Sequence, residues 1–578
     1  MAIATSSAVN LRTTLAGMIQ GWRNEAVRTS IFIVTALILA FFILYPLGIL
    51  FKWSLVNEST GVWSLNNYRE FFSDPELYSA LLTTLKLSVA TSIGSLIIAL
   101  PMAWGVSRTD MPLRGLVRSL VVLTFATPSF LIAVGWITLL GPRAGRINLF
   151  LQWMFSLEST PFNIFSFEGL VFALTMFVYP FLFFSVVSAL DNMDPSYEQS
   201  ARILGASTLR VSLTVTLPIV TPAILSGLIL VIIESFVVFG VPAFLGAPVQ
   251  IDTLSTLVYG LFSDDPPRFD MAATAATPIV IVTALLLAFQ AFYLGKRQFV
   301  TISGKSPQPQ LVDVGKWKYA LSTYTIGVVF VGIALPMLAL LESSLLYAQG
   351  LPPVLSNLTF EHYIALFTGT SIFFRALSNS FVLAIATVAL CLFITFVMAW
   401  IVERTTVPGR EMLAFLSTMS LSFPGVALGM ALVLAFSAGP FPLYGTMWLF
   451  IIGYFIKGTP IAFMFARSSL KQLSVELEQC SQVLGASWLK TMRSITIPLM
   501  KSGLLSVATL IFCLKFRDLA TSIMLYTAGN ETIAVLIVEF IEDGHTGPLG
   551  ALALLVLCIN LTLVMTSKKL VGKGAFQM

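Results

Sequence analysis

Four ionisable side chains stand in stretches that are otherwise apolar: Glu234 in the run 217–240, and Lys515, Arg517 and Asp518 in the run 501–525. A charge at mid-membrane costs on the order of 2.5–3.5 kcal/mol even on mild scales, so such groups must face protein or water. Counting about 1.5 Å per residue from Pro218 puts Glu234 roughly 24 Å up a core about 30 Å thick. The same count from Pro498 puts Arg517 and Asp518 at roughly 28 Å, close to the outer interface. Two kinds of chemistry suit this placement. Glu234 can meet a cationic substrate, or it can pair with Lys515 or Arg517 and close an outer gate. A purely structural role also fits, with the basic chains snorkelling and Glu234 pinning two helices together.

Covalent chemistry has no candidates. The chain has no phosphate-binding glycine loop, and Gly304-Lys305-Ser306 lacks the upstream glycine and strand that such a loop needs. Its two histidines, His362 and His545, lie in separate loops, and no His/Cys set has metal-ligand spacing. No Ser/His/Asp set can be assembled. These absences argue against an enzyme and give no catalytic residue, no metal site and no cofactor. The basic patches match loops expected inside the cell and give no reason to propose nucleic-acid binding.

A second kind of site is a polar stretch carried twice. Glu198, Gln199, Gly205 and Pro218 recur as Glu478, Gln479, Gly485 and Pro498, always 280 residues apart. Each copy reads as a helix, a break and a second helix. Asp194 and Ser474 can cap the first helix, with Pro195 at the first helical position of the first copy. Glu198, Glu476 and Glu478 lie in or near the first turns, where carboxylates complement the helix dipole. Gly205 and Gly485 each follow a Leu, where a left-handed cap costs glycine least. Ser207 and Ser487 can cap the second helix, and Pro218 and Pro498 precede long apolar runs. A short, exposed, amphipathic hairpin suits docking onto a partner protein, and a mere spacer need not recur in register.

The elements that must position these residues are membrane helices. Of 578 residues, 57% are hydrophobic and 11% charged, and runs of about 20 apolar residues recur along the chain. Twelve spans are expected: 29–51, 84–107, 116–140, 169–190, 217–240, 272–295, 319–341, 376–402, 411–437, 446–468, 501–525 and 547–566. The first is too long for a cleaved signal peptide and reads as a retained anchor. Lys and Arg concentrate in alternate loops, which sets both termini and both hairpins on the cytoplasmic side. The four cysteines give no disulfide framework. The duplication extends beyond the hairpins, since Ala103-Trp104, Arg108, Pro112 and Pro128 recur as Ala399-Trp400, Arg404, Pro408 and Pro424, 296 residues on. About 16 extra residues therefore sit in the first half, in the loop 141–168. The expected organisation is an all-α polytopic protein of two parallel six-helix repeats. Its parts are a cytoplasmic segment 1–28, a first half 29–295 with its hairpin at about 192–216, a polar linker 296–318, a second half 319–566 with its hairpin at about 472–496, and a tail 567–578.

Glycine, nine residues and then Val215-Thr-Leu-Pro218 or Ile495-Thr-Ile-Pro498 resemble the coupling loop of type I ABC-importer permeases. The usual Glu-Ala-Ala of that loop is here Gln199-Ser200-Ala201 and Gln479-Cys480-Ser481, with the glutamate one residue early in both copies. Asn67-Tyr68, Arg108-Thr-Asp110, Gly141-Pro142, Pro161-Phe-Asn163-Ile-Phe-Ser166, Met193-Asp-Pro-Ser196 and Thr301-Ile-Ser-Gly-Lys305 are similar to the fused permeases of ferric-iron ABC importers. The resemblance implies a bacterial inner-membrane permease whose hairpins contact an ATPase dimer inside the cell, with a periplasmic substrate-binding protein outside. It also implies that the Fe(III) ligands belong mainly to the binding protein. Related fused permeases carry thiamine, 2-aminoethylphosphonate or polyamines. An ion-coupled secondary transporter is the alternative from another class; it needs charged coupling sites at mid-membrane and no docking hairpin.

Overall fold

Hydrocarbon offers no partners to peptide N–H and C=O groups, so an apolar chain crosses it as helices. The computed structural model describes residues 3–57, 61–295, 311–369, 371–438 and 441–571. Most of the expected linker (296–310) and the end of the tail (572–578) lie outside the described residues. Ten helices are long and apolar enough to cross a membrane: Ala26–Leu55, Pro75–Arg108, Phe167–Asn192, Thr208–Val237, Phe269–Tyr293, Trp317–Leu345, Ile372–Arg404, Met447–Gln472, Trp488–Phe516 and Thr546–Thr566. Among the described residues there is no strand beyond isolated bridges. The protein is an all-α polytopic membrane protein.

The spans expected at 116–140 and 411–437 are present but not straight. Each is a pair of helices, Arg114–Thr124 with Ser129–Leu140 and Glu411–Ser422 with Gly425–Phe436, bent by 100° and 107°. The cause is local. Pro128 and Pro424 force Thr127 (ψ 135°) and Phe423 (ψ 106°) out of the helical region. A third bent pair, Gly240–Val249 with Leu254–Ser263, turns by 73° inside a stretch expected to be a plain outside loop. Ser522–Leu525 and Ile533–Glu542 are its counterparts in the second half.

The spans after the hairpins also differ from expectation. They start earlier, at Thr208 and Trp488, and stop earlier, at Val237 and Phe516. The early start follows from how the prolines are accommodated. Ahead of Pro218 and Pro498 the helix widens into π turns, Ser212–Thr216 and Met492–Thr496, so it runs through without breaking. The early stop leaves Arg517 and Asp518 just past a helix end, where the Asp518 carboxylate accepts the Thr521 N–H at 3.0 Å.

Buried hydroxyls knit each half together. Thr84, Ser88 and Ser92 donate to carbonyls four residues back at 2.7, 2.8 and 2.7 Å, which satisfies them inside an apolar interior. Thr84 Oγ1 also accepts the Leu254 N–H at 2.9 Å, and Ser380 Oγ accepts the Ile533 N–H at the same distance. In both halves, then, a hydroxyl on the second span caps the short helix that precedes the sixth.

The halves exchange their first spans. The helix containing Ala26–Leu55 packs on Gly425–Phe436 of the second half, and Leu335–Leu345 packs on Ser129–Leu140 of the first. The second contact is close because Gly135 has no side chain: a Cβ there would lie 2.6 Å from Pro336 Cβ and 2.8 Å from its carbonyl oxygen. Arg146 reinforces the same seam, pairing with Glu342 at 2.8 Å and donating to the Leu351 carbonyl at 2.7 Å. Gly135→Val should therefore lower stability by about 1–3 kcal/mol, because backbone lines one side of the contact and cannot yield. Thermal unfolding in detergent checks this, with Gly115→Val as the control, since a Cβ at Gly115 meets nothing within 4 Å.

Candidate functional site

Both hairpins form as their sequences dictate. The Asp194 carboxylate accepts the Ser196 N–H at 2.9 Å, a bond that favours its charged form and holds its pKa below the ordinary carboxylate range. Ser474 Oγ accepts the Glu476 N–H at 3.2 Å. The first helices, Ser196–Ile203 and Val475–Val483, end where Gly205 and Gly485 take φ of +86° and +82°. The Ala206 N–H then reaches back to the Ala201 carbonyl at 3.1 Å, and Ala486 does the same to Ser481 at 3.1 Å. Ser207 and Ser487 cap the helices that follow. Gln479, Pro218 and Pro498 are exposed and Gln199 is half-buried.

The glutamates behave differently from the rest of their hairpins. Glu198 and Glu478 are buried. Glu198 Oε1 lies 3.3 Å from Arg108 Nε and accepts the Thr216 hydroxyl at 2.6 Å. Glu478 Oε1 lies 3.4 Å from Arg404 Nε and accepts the Thr496 hydroxyl at 3.1 Å. Each carboxylate thus joins the end of the second span, the hairpin and the π turn that opens the fifth span. Arg404 Nη2 also donates to the Leu470 and Leu473 carbonyls, both at 2.8 Å, which ties in the fourth span. Arg108 and Arg404 were visible in the sequence as a repeat, but at an offset of 296 against 280 for the glutamates, so no spacing rule connected them.

With the glutamates turned inward, the hairpin tips present apolar side chains. Ile203 and Leu204 are 85% and 87% exposed, and Val483 and Leu484 are each 86% exposed. Leu209 and Leu489 extend the two patches. Beside the second tip, Leu477, Cys480, Leu484, Ala486 and Ile495 line a groove of about 420 Å³. Matching apolar tips at one end of a membrane bundle are surfaces that a partner can cover.

Of the intramembrane charges, Lys515 and Asp518 are paired otherwise than expected. Lys515 pairs with Asp518, Nζ to Oδ2 at 3.5 Å, rather than with Glu234. Asp518 Oδ2 receives a shorter bond, 2.9 Å, from Lys457, a residue that the sequence reading passed over within the span 446–468. Glu234 interacts electrostatically with Lys457 and with Arg517, the second of which is one of the two partners expected for it. A lone lysine in the middle of an apolar helix was the available signal.

The sequence profile of the binding-protein-dependent transport system inner membrane component family matches residues 95–299 and 408–570, once in each half. The chain belongs to that family. This permease is 25% identical over 541 residues to the ferric transport system permease protein FbpB of Actinobacillus pleuropneumoniae, covering 93% of the permease and 77% of that protein. It is 26% identical over 505 residues to the putative ferric transport system permease protein FbpB 1 of Haemophilus influenzae, covering 86% and 78%. A putative 2-aminoethylphosphonate transport system permease protein, PhnV of Salmonella typhimurium, is 25% identical over 237 residues, 41% of the permease and 88% of that protein. Among solved structures, a bacterial ABC transporter that imports alginate aligns with 48% of the permease and 97% of its own chain, at 17% identity and a TM-score of 0.40.

The buried pairs make a testable case. Removing one partner of a buried ion pair strands the other charge and costs about 3–5 kcal/mol, whereas replacing both with apolar groups is often neutral. Arg404→Met should therefore unfold at lower temperature than the parent, and adding Glu478→Met should recover most of the loss. A double variant no more stable than the single would show that the pair is not the source of the cost.

Proposed function

We propose that the permease is the transmembrane subunit of an ATP-driven importer that moves its substrate from periplasm to cytoplasm by alternating access. In this reading it lies in the bacterial inner membrane with both termini cytoplasmic. An ATPase dimer docks on the two hairpins from inside, and a substrate-binding protein delivers from outside. The observation that carries the reading is the pair of matching hairpins, each with an exposed apolar tip and each fastened to its fifth span through a buried glutamate. A partner that closes on both tips moves Thr208–Val237 and Trp488–Phe516 directly, because the second helix of each hairpin runs on into its span without a break. Hydrolysis belongs to the ATPase, and the permease supplies the coupling loops: Glu198, Gln199, Gly205 and Pro218, with Glu478, Gln479, Gly485 and Pro498. Glu234 and the cations opposite it are assigned to the pathway as a gate between the halves.

Ferric iron is the substrate best supported, since two of the relatives that align along most of the chain are named as ferric transport permeases. 2-Aminoethylphosphonate is the second reading, on the similarity of a shorter permease. Thiamine and polyamines share the expected architecture.

Docking and gating separate experimentally. Leu484→Asp puts a charge on the tip without touching the buried pair, and Gly485→Arg places a bulky side chain at a left-handed position, at a cost of about 1 kcal/mol before any clash. Both should reach the membrane at parental levels yet lose the co-purifying ATPase and ATP-dependent uptake. Retention of both by either variant would remove the docking role. Glu234→Gln should keep the ATPase and lose uptake; transport at the parental rate would make Glu234 a packing residue.

A further inference from the structure

The hairpin clamps occur twice, but the central charge cluster occurs once. Displaced by 280 residues, Lys457, Lys515, Arg517 and Asp518 correspond to Phe177, Ser235, Val237 and Val238, all uncharged. The Arg–Glu–Thr clamps recur in both halves, whereas the two lysines and the aspartate of this cluster belong to the second half alone.

Its charges do not balance. Two ammonium groups, Lys457 at 2.9 Å and Lys515 at 3.5 Å, share the single carboxylate of Asp518, which leaves one positive charge in excess among these three side chains. Hydrogen-bond capacity is also uneven. The Asp518 carboxylate takes Lys457 and Lys515 on Oδ2 and the Thr521 N–H on Oδ1. An ammonium has three donors. Lys457 gives one to Asp518 and one to Thr521 Oγ1 at 3.3 Å, which leaves a third. Its side chain is 25% exposed, against 5% for Lys515, so of the two lysines it is the one that can be reached. Its Nζ also lies against the break of the bent span, only 3.0 Å from where a Cβ on Gly425 would stand. A larger residue at Gly425 would cover the ammonium.

Resting on the proposed importer reading, we infer that Lys457 is a specificity-determining residue of the pathway and that the species it receives carries an oxyanion. A bare or hydrated Fe(III) ion, a polyamine and thiamine are all repelled by a site with excess positive charge. Ferric iron wrapped in carboxylates, and a phosphonate, both present the anionic oxygens that an ammonium binds best. Asp518 then serves as the resident anion that holds the two lysines in place while the site is empty. An incoming oxyanion bonds to the third Lys457 donor without displacing it.

The test measures uptake by cells carrying the complete importer, with labelled ferric citrate, 2-aminoethylphosphonate, thiamine and putrescine offered separately. The parent should take up ferric citrate or the phosphonate, and which of the two identifies the oxyanion's source. Lys457→Met should reduce that uptake about tenfold or more while membrane level and ATPase retention stay at parental values, and Lys457→Arg should restore it to within about threefold. Excess inorganic phosphate should inhibit the parent more strongly than Lys457→Met. Parental uptake of thiamine or putrescine alone, or undiminished uptake by Lys457→Met, overturns the inference and leaves the importer reading standing. If the parent imports none of the four in an ATP-dependent way, the importer reading falls and this inference with it.

Discussion

A buried carboxylate cannot part from its arginine without leaving a charge in a medium that cannot solvate it. That constraint, met once by Glu198 with Arg108 and once by Glu478 with Arg404, organises the hairpin end of the molecule. It ties the hairpins to the second spans and to the π turns that begin the fifth spans, while their apolar tips stay exposed. The threonines complete the arrangement by giving each carboxylate a second donor. Rigidity at this junction is what lets force applied at a tip arrive at a transmembrane helix undiminished. A hairpin attached through a flexible loop would simply swing.

The opposite requirement holds further along the fifth spans, where charges meet across the interface between halves. Here no pair is sealed on both sides. Asp518 is shared by two lysines, and Glu234 reaches the other half's cations. Shared and unequal partnerships can be rearranged at modest cost, because each loss is offset by a neighbour. In the proposed transport cycle the first arrangement serves as a fixed joint and the second as a network that can rearrange.

The sequence showed the spans, the two halves and the hairpins because these rest on periodic or repeated signals: apolar runs, a recurring glycine with its proline, and caps at fixed offsets. It did not show the clamps, although every member was in view. Arg108 and Glu198 are separated by an insertion that the second half lacks, so their repeats carry different offsets and look unrelated until the chain is folded. The kinks at Pro128 and Pro424 were likewise announced by residues already noted as repeating. An apolar run with an interior proline reads as a straight span only if length is weighed and the residue before the proline is not. Lys457 carried a local signal, a lone lysine in an apolar helix, but its partners Asp518 and Thr521 lie on another element more than 60 residues on, where no local pattern points to them.

The exchange of first spans has a bearing on how the molecule is made. Ser129–Leu140 leaves the ribosome long before Leu335–Leu345, the helix that covers it, has been synthesised. Until then the narrow slot at Gly135 faces lipid or the insertion machinery, and the first half is a nearly finished structure with one wall missing. Joining both halves in one polypeptide brings the missing wall to the right place, in a ratio of one to one and at a local concentration that no pair of separate chains could match. Biogenesis is thereby ordered from the amino end, and the step that seals the first half is also the step that begins the second.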